Sequence, residues 1–232
     1  AIGSVEETPS RLALTAANYY QKTGRTDTAI GLIDKIKSKD FNLEILKGGR
    51  RTTKGSSLSE VTVRSPQDGM SEALFDIASA LRDEYDNNAS LIFVRLASYM
   101  RPEFHSAQIL LGEILEERGK YPEAIKEFEQ IPEKSIFFRM AQLRLSQTLR
   151  QDGKPRAAIL VLERLKQRQP KNAENFIRLG DIYRSQKDWD KAIFAYNTAI
   201  NLTNRNSKSD WILYYSRGVA LEQSGQWDMA EA

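Results

Sequence analysis

The sequence predicts an all-α fold built from repeated helical hairpins, and three observations predict it. Small residues recur with a fixed period, since Ala124, Ala158 and Ala192 lie 34 residues apart. A second small residue stands twelve positions before each of these alanines: Gly112, Ser146 and Gly180. The apolar residues between the two marks follow the three- and four-residue spacing of amphipathic helices. A fixed period of this length is typical of stacked helical repeats.

The same pattern extends in both directions from these three copies. It recurs at Gly218 and Ala230, after four additional residues in the polar connection "NRNSKSD". Towards the N-terminus it predicts small residues at 78 and 90, where Ala78 and Ser90 stand, and a further copy has Ala17 and Ala29. Two antiparallel helices approach closely where their side chains are small, so we expect each glycine of a first helix to face the alanine of the second.

The period gives the elements in order along the chain. They are an N-terminal segment 1–43 with a first repeat at 10–43, an inserted segment 44–70, and an array at 71–232 with repeats at 71–104, 105–138, 139–172 and 173–206 and a partial repeat at 211–232. Pro132 ends a helix early, and Ser135 is placed to cap an extended next helix. Trp189 opens the second helix of its repeat. The last repeat stops inside its second helix, so we expect the intact protein to be longer.

One core stripe follows helical spacing in the repeat at 173–206: Phe176, Leu179, Tyr183, Tyr196 and Ala199. The segments "FIRLGDIYRSQKDWDKAIFAYNTA" and "ILLGEILEERGKYPEAIKEFEQI" resemble the tetratricopeptide repeat in its aromatic, Leu-Gly, Tyr, Ala, aromatic, Ala pattern. This resemblance implies a right-handed superhelical α-solenoid whose first helices line a concave, protein-binding face. "VRSPQDGMSEALFDIASAL", "IPEKS" and "SDWILYYSRGVALEQSGQWDMAEA" are similar to exported alphaproteobacterial proteins of this family, which implies a periplasmic location.

Composition excludes several kinds of chemistry. The 232 residues include no cysteine and one histidine, which removes disulfides and thiolate nucleophiles and leaves little for a metal site. The net charge is +3 although 28% of residues are charged, so the two signs are interspersed and charge alone does not indicate nucleic acid. We expect no cofactor.

The segment "KGGRRTTKGSS", residues 47–57, has the composition of a phosphate-binding loop but not its pattern. Counting from Gly49, Lys54 stands where the Walker motif needs glycine, and a repeat helix precedes the segment instead of an apolar strand. His105 at a helix start is expected at the surface and has no triad partners. An enzyme that uses the surface glutamates of the repeat at 105–138 is the less favoured alternative, because acid–base catalysis needs a pocket that separates their pKa values and solvated repeat surfaces rarely supply one. We therefore expect neither an enzyme nor a small-molecule substrate.

The remaining function is protein recognition, through the positions of the first helices that line the groove in this family. These are Asn18, Phe75, Arg82, Ile109, Glu113, Glu116, Glu117, Gln147, Arg150, Ile177, Asp181, Arg184 and Tyr215. The glutamates form an acidic centre flanked by Arg82 and Arg150, which suits a peptide with a basic element. An ordinary solvated helix face is the alternative interpretation of these glutamates. The lysine, arginine and asparagine pattern that holds chaperone tails is missing.

A different function stays open as the alternative, namely docking on an anionic lipid or nucleic-acid surface. Its residues are Lys47, Arg50, Arg51 and Lys54 of the basic loop, aided by Lys154, Arg156, Arg164, Lys166 and Arg168. The basic loop lacks the interleaved aromatic residues that stack on bases. Protein is the expected partner, ahead of nucleic acid and membrane, and the sequence leaves the oligomeric state undetermined.

Overall fold

The computed structural model describes residues 65–83, 87–203 and 211–230, together with positions 20, 23–25, 27, 28 and 63. All regular structure in these ranges is helical, and no strand occurs among the described residues. The chain divides into two compact units, Ala1–Phe138 and Arg139–Ala232. The predicted all-α class is confirmed, and the repeats are helix-turn-helix hairpins of the α-solenoid class.

From residue 65 onwards, the described part of the first unit contains four helices: α1 at Pro66–Asp83, α2 at Asn87–Met100, α3 at His105–Glu117 and α4 at Tyr121–Glu129. Each helix packs against the next one along the chain. The turn between α3 and α4 passes through Gly119, whose φ of +69° favours glycine. The first helix of each hairpin, here α1 and α3, carries predicted groove residues, and the second helices are α2 and α4.

Helix α1 begins five residues before position 71, where the period places the start of a repeat. The cause is a capping box that the sequence analysis missed. The Ser65 hydroxyl accepts the Asp68 amide at 3.1 Å, and the Asp68 carboxylate accepts the Ser65 amide at 3.2 Å. Pro66 follows at the first helical position, where its missing N–H is not needed. The repeat boundaries themselves stay predictions.

The second unit contains six helices from α5 to the last described residue. They are α5 at Phe138–Gln151, α6 at Pro155–Arg168, α7 at Ala173–Ser185, α8 at Trp189–Leu202, α9 at Trp211–Gln223 and α10 at Trp227–Ala230. First helices are α5, α7 and α9, and second helices are α6, α8 and α10. Helix α7 packs against α6 and α8, and α9 packs against α8 and α10.

Three predicted helix ends can be compared with the helices. Trp189 opens α8 as predicted, and the side chain of Asp188 caps it by accepting the Lys191 amide. Helix α4 ends at Glu129, before Pro132, as predicted. The extension of the next helix to Ser135 is wrong, because α5 begins at Phe138. The Ser135 hydroxyl accepts the Phe137 amide at 3.1 Å and closes a turn ahead of the helix.

Gly112 of α3 and Gly180 of α7 lie against aromatic rings. A Cβ on Gly112 would be 2.6 Å from the ring of Phe128, and one on Gly180 would be 2.5 Å from the ring of Tyr196. The predicted partners, Ala124 and Ala192, are fully buried but are not the atoms nearest to the glycines. At Gly112 and Gly180 the ring sixteen residues later is the nearest neighbour, whereas at Gly218 the nearest atom is the backbone oxygen of Ala230, the alanine of the same pair. The glycine-to-alanine contact at Gly112 and Gly180 stays a prediction.

Residue sizes at these paired positions compensate for one another across the repeats. Ser146 takes the place of the glycine in α5, and the smaller Leu162 stands where Phe128 and Tyr196 stand in their repeats. Ala78 and Val94 occupy the corresponding positions in α1 and α2, and both are fully buried. A constant total volume keeps each position filled at native packing density.

The predicted core stripe of the repeat at 173–206 is confirmed. Tyr196 and Ala199 belong to a buried cluster of α8 and α9, and Phe176 and Tyr183 pack against it. Leu179 is also buried, with 2% of its surface exposed. Tyr196 has 0% exposure, which makes it one of the largest fully buried side chains in the described part of the chain.

Candidate functional site

The predicted site residues fall into three sets. The first set lies outside the described residues: Asn18, Lys47, Arg50, Arg51 and Lys54. The second set is buried: Phe75 and Ile109. The third set is half-buried or exposed on first helices: Arg82, Glu113, Glu116, Glu117, Gln147, Arg150, Ile177, Asp181, Arg184 and Tyr215.

Phe75 and Ile109 offer a partner little surface. Phe75 is 5% exposed and packs its ring against Phe104 with centroids 5.1 Å apart, and Ile109 is 3% exposed. The sequence analysis gave both residues to the groove floor. The structure places them in the core of the first unit, where Phe75 lies against Phe104 at the start of α3.

An ion-pair cluster joins α1 and α3 in the first unit. The Arg82 guanidinium donates to Glu113 at 2.6 Å and also to Glu117 through its other terminal nitrogen. The Glu113 side chain is 14% exposed, whereas that of Glu117 is 42% exposed. Burial would lower the pKa of Arg82, but the hydrogen bonds and charges of both glutamates outweigh burial and raise it. Arg82 therefore lies within the acidic centre that the sequence analysis expected it to flank.

A small depression lies between α5 and α7 in the second unit. It has a volume of about 220 Å³ and is open to solvent. Its lining consists of Ser146, Gln147, Arg150, Arg178, Asp181 and Ile182. Three predicted groove residues, Gln147, Arg150 and Asp181, thus meet at one place, and Arg178 is a neighbour that the sequence analysis did not name.

Hydrogen bonds fix Asp181 and Arg184 on the surface of α7. The buried phenol of Tyr196 donates to Asp181 Oδ1 at 2.8 Å, and Arg184 Nε donates to the phenol oxygen at 3.2 Å. Burial and the neighbouring Asp181 carboxylate raise the pKa of Tyr196 well above its ordinary range. The phenol is therefore protonated near neutral pH and acts as the donor that orients Asp181.

Glu174 is held between two arginines at the start of α7. Arg139 donates to one carboxylate oxygen at 2.5 Å, and Arg178 donates to the other through Nε at 3.2 Å and a terminal nitrogen at 2.9 Å. Burial would raise the pKa of Glu174, but the two arginines outweigh burial and lower it. These contacts tie α5 to α7 and set the position of Arg178 at the depression.

Two predicted apolar groove residues differ in exposure. Ile177 is half-buried and packs against the core cluster of α8 and α9. Tyr215 on α9 is 66% exposed, and its ring lies 6.4 Å from that of Trp211, which is 63% exposed. Tyr215 can therefore contact a partner, whereas Ile177 mainly packs α7 against the core.

Other kinds of site find little support in the described residues. His105 is half-buried, not a surface residue as predicted, and its Nδ1 lies 3.0 Å from the Ser135 hydroxyl. No group of three acidic or histidine side chains in the described part could hold a metal ion. None of the described helices combines the length and the apolar character that crossing a bilayer requires.

The basic residues of α6 and the turn before it are partly engaged in ion pairs. Lys154 lies 2.6 Å from Asp152, and Lys166 pairs with Glu163. Arg156, Arg164 and Arg168 are exposed. The basic loop that these residues were expected to assist is outside the described residues.

Comparisons with known proteins agree with the geometry. Residues 50–213 match the model of the tetratricopeptide repeat-like domain. No curated protein matches the chain. A crystal structure of MamA has a TM-score of 0.55 and 23% identity, with 69% of this chain and 86% of that chain covered.

Two further solved structures share the fold. PilW, described as a widely conserved type IV pilus biogenesis factor, has a TM-score of 0.58 and 16% identity over 96% of this chain and 90% of that chain. YrrB, described as a repeat protein with an unusual peptide-binding site, has a TM-score of 0.50 and 15% identity over 72% and 88%. Since one family model matches more than half of the residues, the chain belongs to the tetratricopeptide repeat-like domain family.

Proposed function

We propose that the chain is a non-enzymatic scaffold that binds a partner protein or peptide along its first helices. The observation that carries this proposal is the set of oriented polar side chains on those helices. Arg82 is fixed by Glu113 and Glu117, and Asp181 is fixed by Tyr196. Side chains that are held before binding lose less conformational entropy when a partner arrives. The scaffold takes no cofactor and performs no reaction of its own.

The partner of the first unit carries a basic element under this proposal. Glu113, Glu116 and Glu117 place three carboxylates on α3, and Arg82 pairs with Glu113 and Glu117. Carboxylates grouped on one helix attract a basic segment and set its register. Because Arg82 already pairs with two of the glutamates, a basic side chain of the partner would join an existing ion-pair network.

Affinity capture with the intact protein tests this function. The variant Glu113→Lys, Glu116→Lys, Glu117→Lys should lose the partner that the wild-type protein retains. A matched control, Glu123→Lys, Glu127→Lys, Glu129→Lys, makes the same charge change on the second helix α4 and should retain it. Far-UV circular dichroism checks that both variants are folded, and Glu117→Lys alone, at an exposed position, provides a milder version. Equal retention by all variants contradicts the acidic surface.

The anionic-surface function is the second candidate, and the exposed arginines of α6 favour it. Binding through Arg156, Arg164 and Arg168 would depend steeply on salt, because each phosphate contact releases counterions. The measurement is co-sedimentation with phosphatidylglycerol vesicles and a gel shift with single-stranded DNA, both at low ionic strength. Absence of binding in both assays removes this candidate.

We also propose that the protein works in the periplasm, on the strength of its resemblance to exported alphaproteobacterial repeat proteins. Fractionation of cells that make the natural full-length protein tests the location. Recovery with periplasmic markers supports the proposal, and recovery with cytoplasmic markers contradicts it.

A further inference from the structure

We propose that the depression between α5 and α7 binds an acidic segment of a partner polypeptide, with Arg150 and Arg178 as the carboxylate-binding residues. This inference rests on the proposed protein-binding function and specifies the chemistry of one subsite. It differs from the basic element expected at the first unit, because the charge around this depression has the opposite sign.

The size of the depression fits side chains of a peptide. Its volume of about 220 Å³ is below the roughly 300–1,000 Å³ typical of small-molecule pockets, and it is open to solvent. One or two glutamate or aspartate side chains can enter it while the peptide backbone passes across the opening. An enclosed cofactor site would need more volume and more walls.

The balance of charge around the depression is positive. Four guanidinium groups of α5 and α7 belong to this network: Arg139, Arg150, Arg178 and Arg184. Among the residues of α5 and α7 the carboxylates are two, Glu174 and Asp181. Glu174 is shared between Arg139 and Arg178, and Asp181 accepts from Tyr196, so the excess of positive charge persists at the opening. Field lines from several like charges in a concave site raise the local concentration of an oppositely charged ligand.

The two lining arginines have the side-chain chemistry for carboxylate recognition. Arg150 lies on α5 and is exposed, and Arg178 lies on α7 with its position set by Glu174. Arginine forms paired, charge-assisted hydrogen bonds with carboxylates. Gln147 has both a donor and an acceptor for the peptide backbone, and Asp181 can accept a backbone N–H.

The same features favour polypeptide over nucleic acid. None of the residues that line the depression is aromatic, so no surface for base stacking is present there. The Asp181 carboxylate repels a phosphate and a peptide carboxylate alike, but it can accept from a backbone amide, a donor that a phosphodiester backbone lacks. A nucleic acid that binds here would contradict the inference.

Fluorescence anisotropy with the full chain tests this proposal. The probe is a fluorescein-labelled octaglutamate peptide at low ionic strength, compared with octalysine and with single-stranded dT8. The double variant Arg150→Gln, Arg178→Gln should weaken octaglutamate binding about tenfold or more, since each hydrogen bond to a charged group contributes strongly. The matched control Arg156→Gln, Arg164→Gln removes the same charge from exposed positions of α6 and should change binding less than about twofold.

Each outcome of this experiment is decisive. Absence of octaglutamate binding by the wild-type protein, or equal weakening in both double variants, overturns the acidic-peptide site. Tighter binding of dT8 than of octaglutamate, lost in the Arg150→Gln, Arg178→Gln variant, overturns it in favour of nucleic acid. Arg150→Gln alone, at an exposed position, covers the case in which the double variant does not fold. If the subsite fails while capture still depends on Glu113, Glu116 and Glu117, the protein-binding function stands and only this inference falls.

Discussion

The substitution Gly180→Ala measures how closely α7 and α8 are packed. An added Cβ would lie 2.5 Å from one ring atom of Tyr196 and 2.7 and 2.9 Å from two others, where ordinary contacts begin near 3.4 Å. Tyr196 is fully buried, and its hydroxyl bonds Asp181 and Arg184, so the ring cannot move aside without loss. Overpacking of a filled core costs about 1–3 kcal/mol. The better helix propensity of alanine returns about 1 kcal/mol, which leaves a net destabilisation of about 0–2 kcal/mol.

Gly218→Ala is the matched control for this measurement. Its added Cβ would have Ala230 O as its nearest neighbour, at 4.0 Å, so the propensity gain of about 1 kcal/mol is not opposed. Urea unfolding followed by far-UV circular dichroism gives both values from the transition midpoints. The reasoning is refuted if Gly180→Ala stabilises the protein as much as Gly218→Ala. In a Tyr196→Leu background, which copies the pairing of Ser146 with Leu162, the cost of Gly180→Ala should largely disappear.

Three further predictions concern hydrogen bonds and protonation. Since the pKa of Tyr196 is raised above its ordinary value of 10.0, the folded state keeps the phenol proton to higher pH than the unfolded state, so stability should fall as pH rises above about 10. Urea midpoints should show a smaller fall in Tyr196→Phe. An unchanged fall would show that other groups cause it. Since the pKa of Glu174 is lowered below its ordinary value of 4.5, its ion pairs stabilise the fold above that pH and lose their effect as pH falls through the folded-state pKa. In Glu174→Gln the loss of stability at acidic pH should therefore be smaller than in the wild-type protein. An equal loss in both proteins would count against the pairing. The Ser90 hydroxyl is buried and donates to Ala78 O at 2.7 Å, yet alanine stands at the equivalent positions of five other repeats. Ser90→Ala should therefore cost about 1 kcal/mol or less in thermal unfolding, and a cost above about 2 kcal/mol would disprove this equivalence.

The period of 34 residues is sufficient to predict the fold class and several helix ends, because each repeat needs the same small and large residues at the same depth. Trp189, for example, opens α8 as predicted. The direction in which a side chain points is harder to predict. Gly112 and Ala124 share a register, but the ring of Phe128 reaches the glycine first. A comparison of positions sixteen residues apart would have revealed this partner, because glycine there accompanies an aromatic residue and serine accompanies leucine.

The sequence predicted several residues of the candidate site but not which of them bond to one another. The spacing places Arg82 and Glu113 on neighbouring first helices, yet whether they flank or bond depends on side-chain rotamers that the period does not define. Phe75 and Ile109 were assigned to the groove by position alone and are buried, since the same helix face also meets the neighbouring helix. Arg178 was missed because it lies one position from the predicted Ile177, and its role depends on Glu174.

Site-specific photo-crosslinking in cells tests the central claim, that the first helices bind a partner protein. A photoreactive amino acid at Gln147, Glu117 or Arg184 places the probe on first helices, and at Glu129 or Arg164 it places the probe on second helices at exposed positions. The account predicts that the first-helix positions capture a discrete protein partner and that the second-helix positions do not. Capture of that partner from Glu129 or Arg164, with none from the first-helix positions, would contradict it.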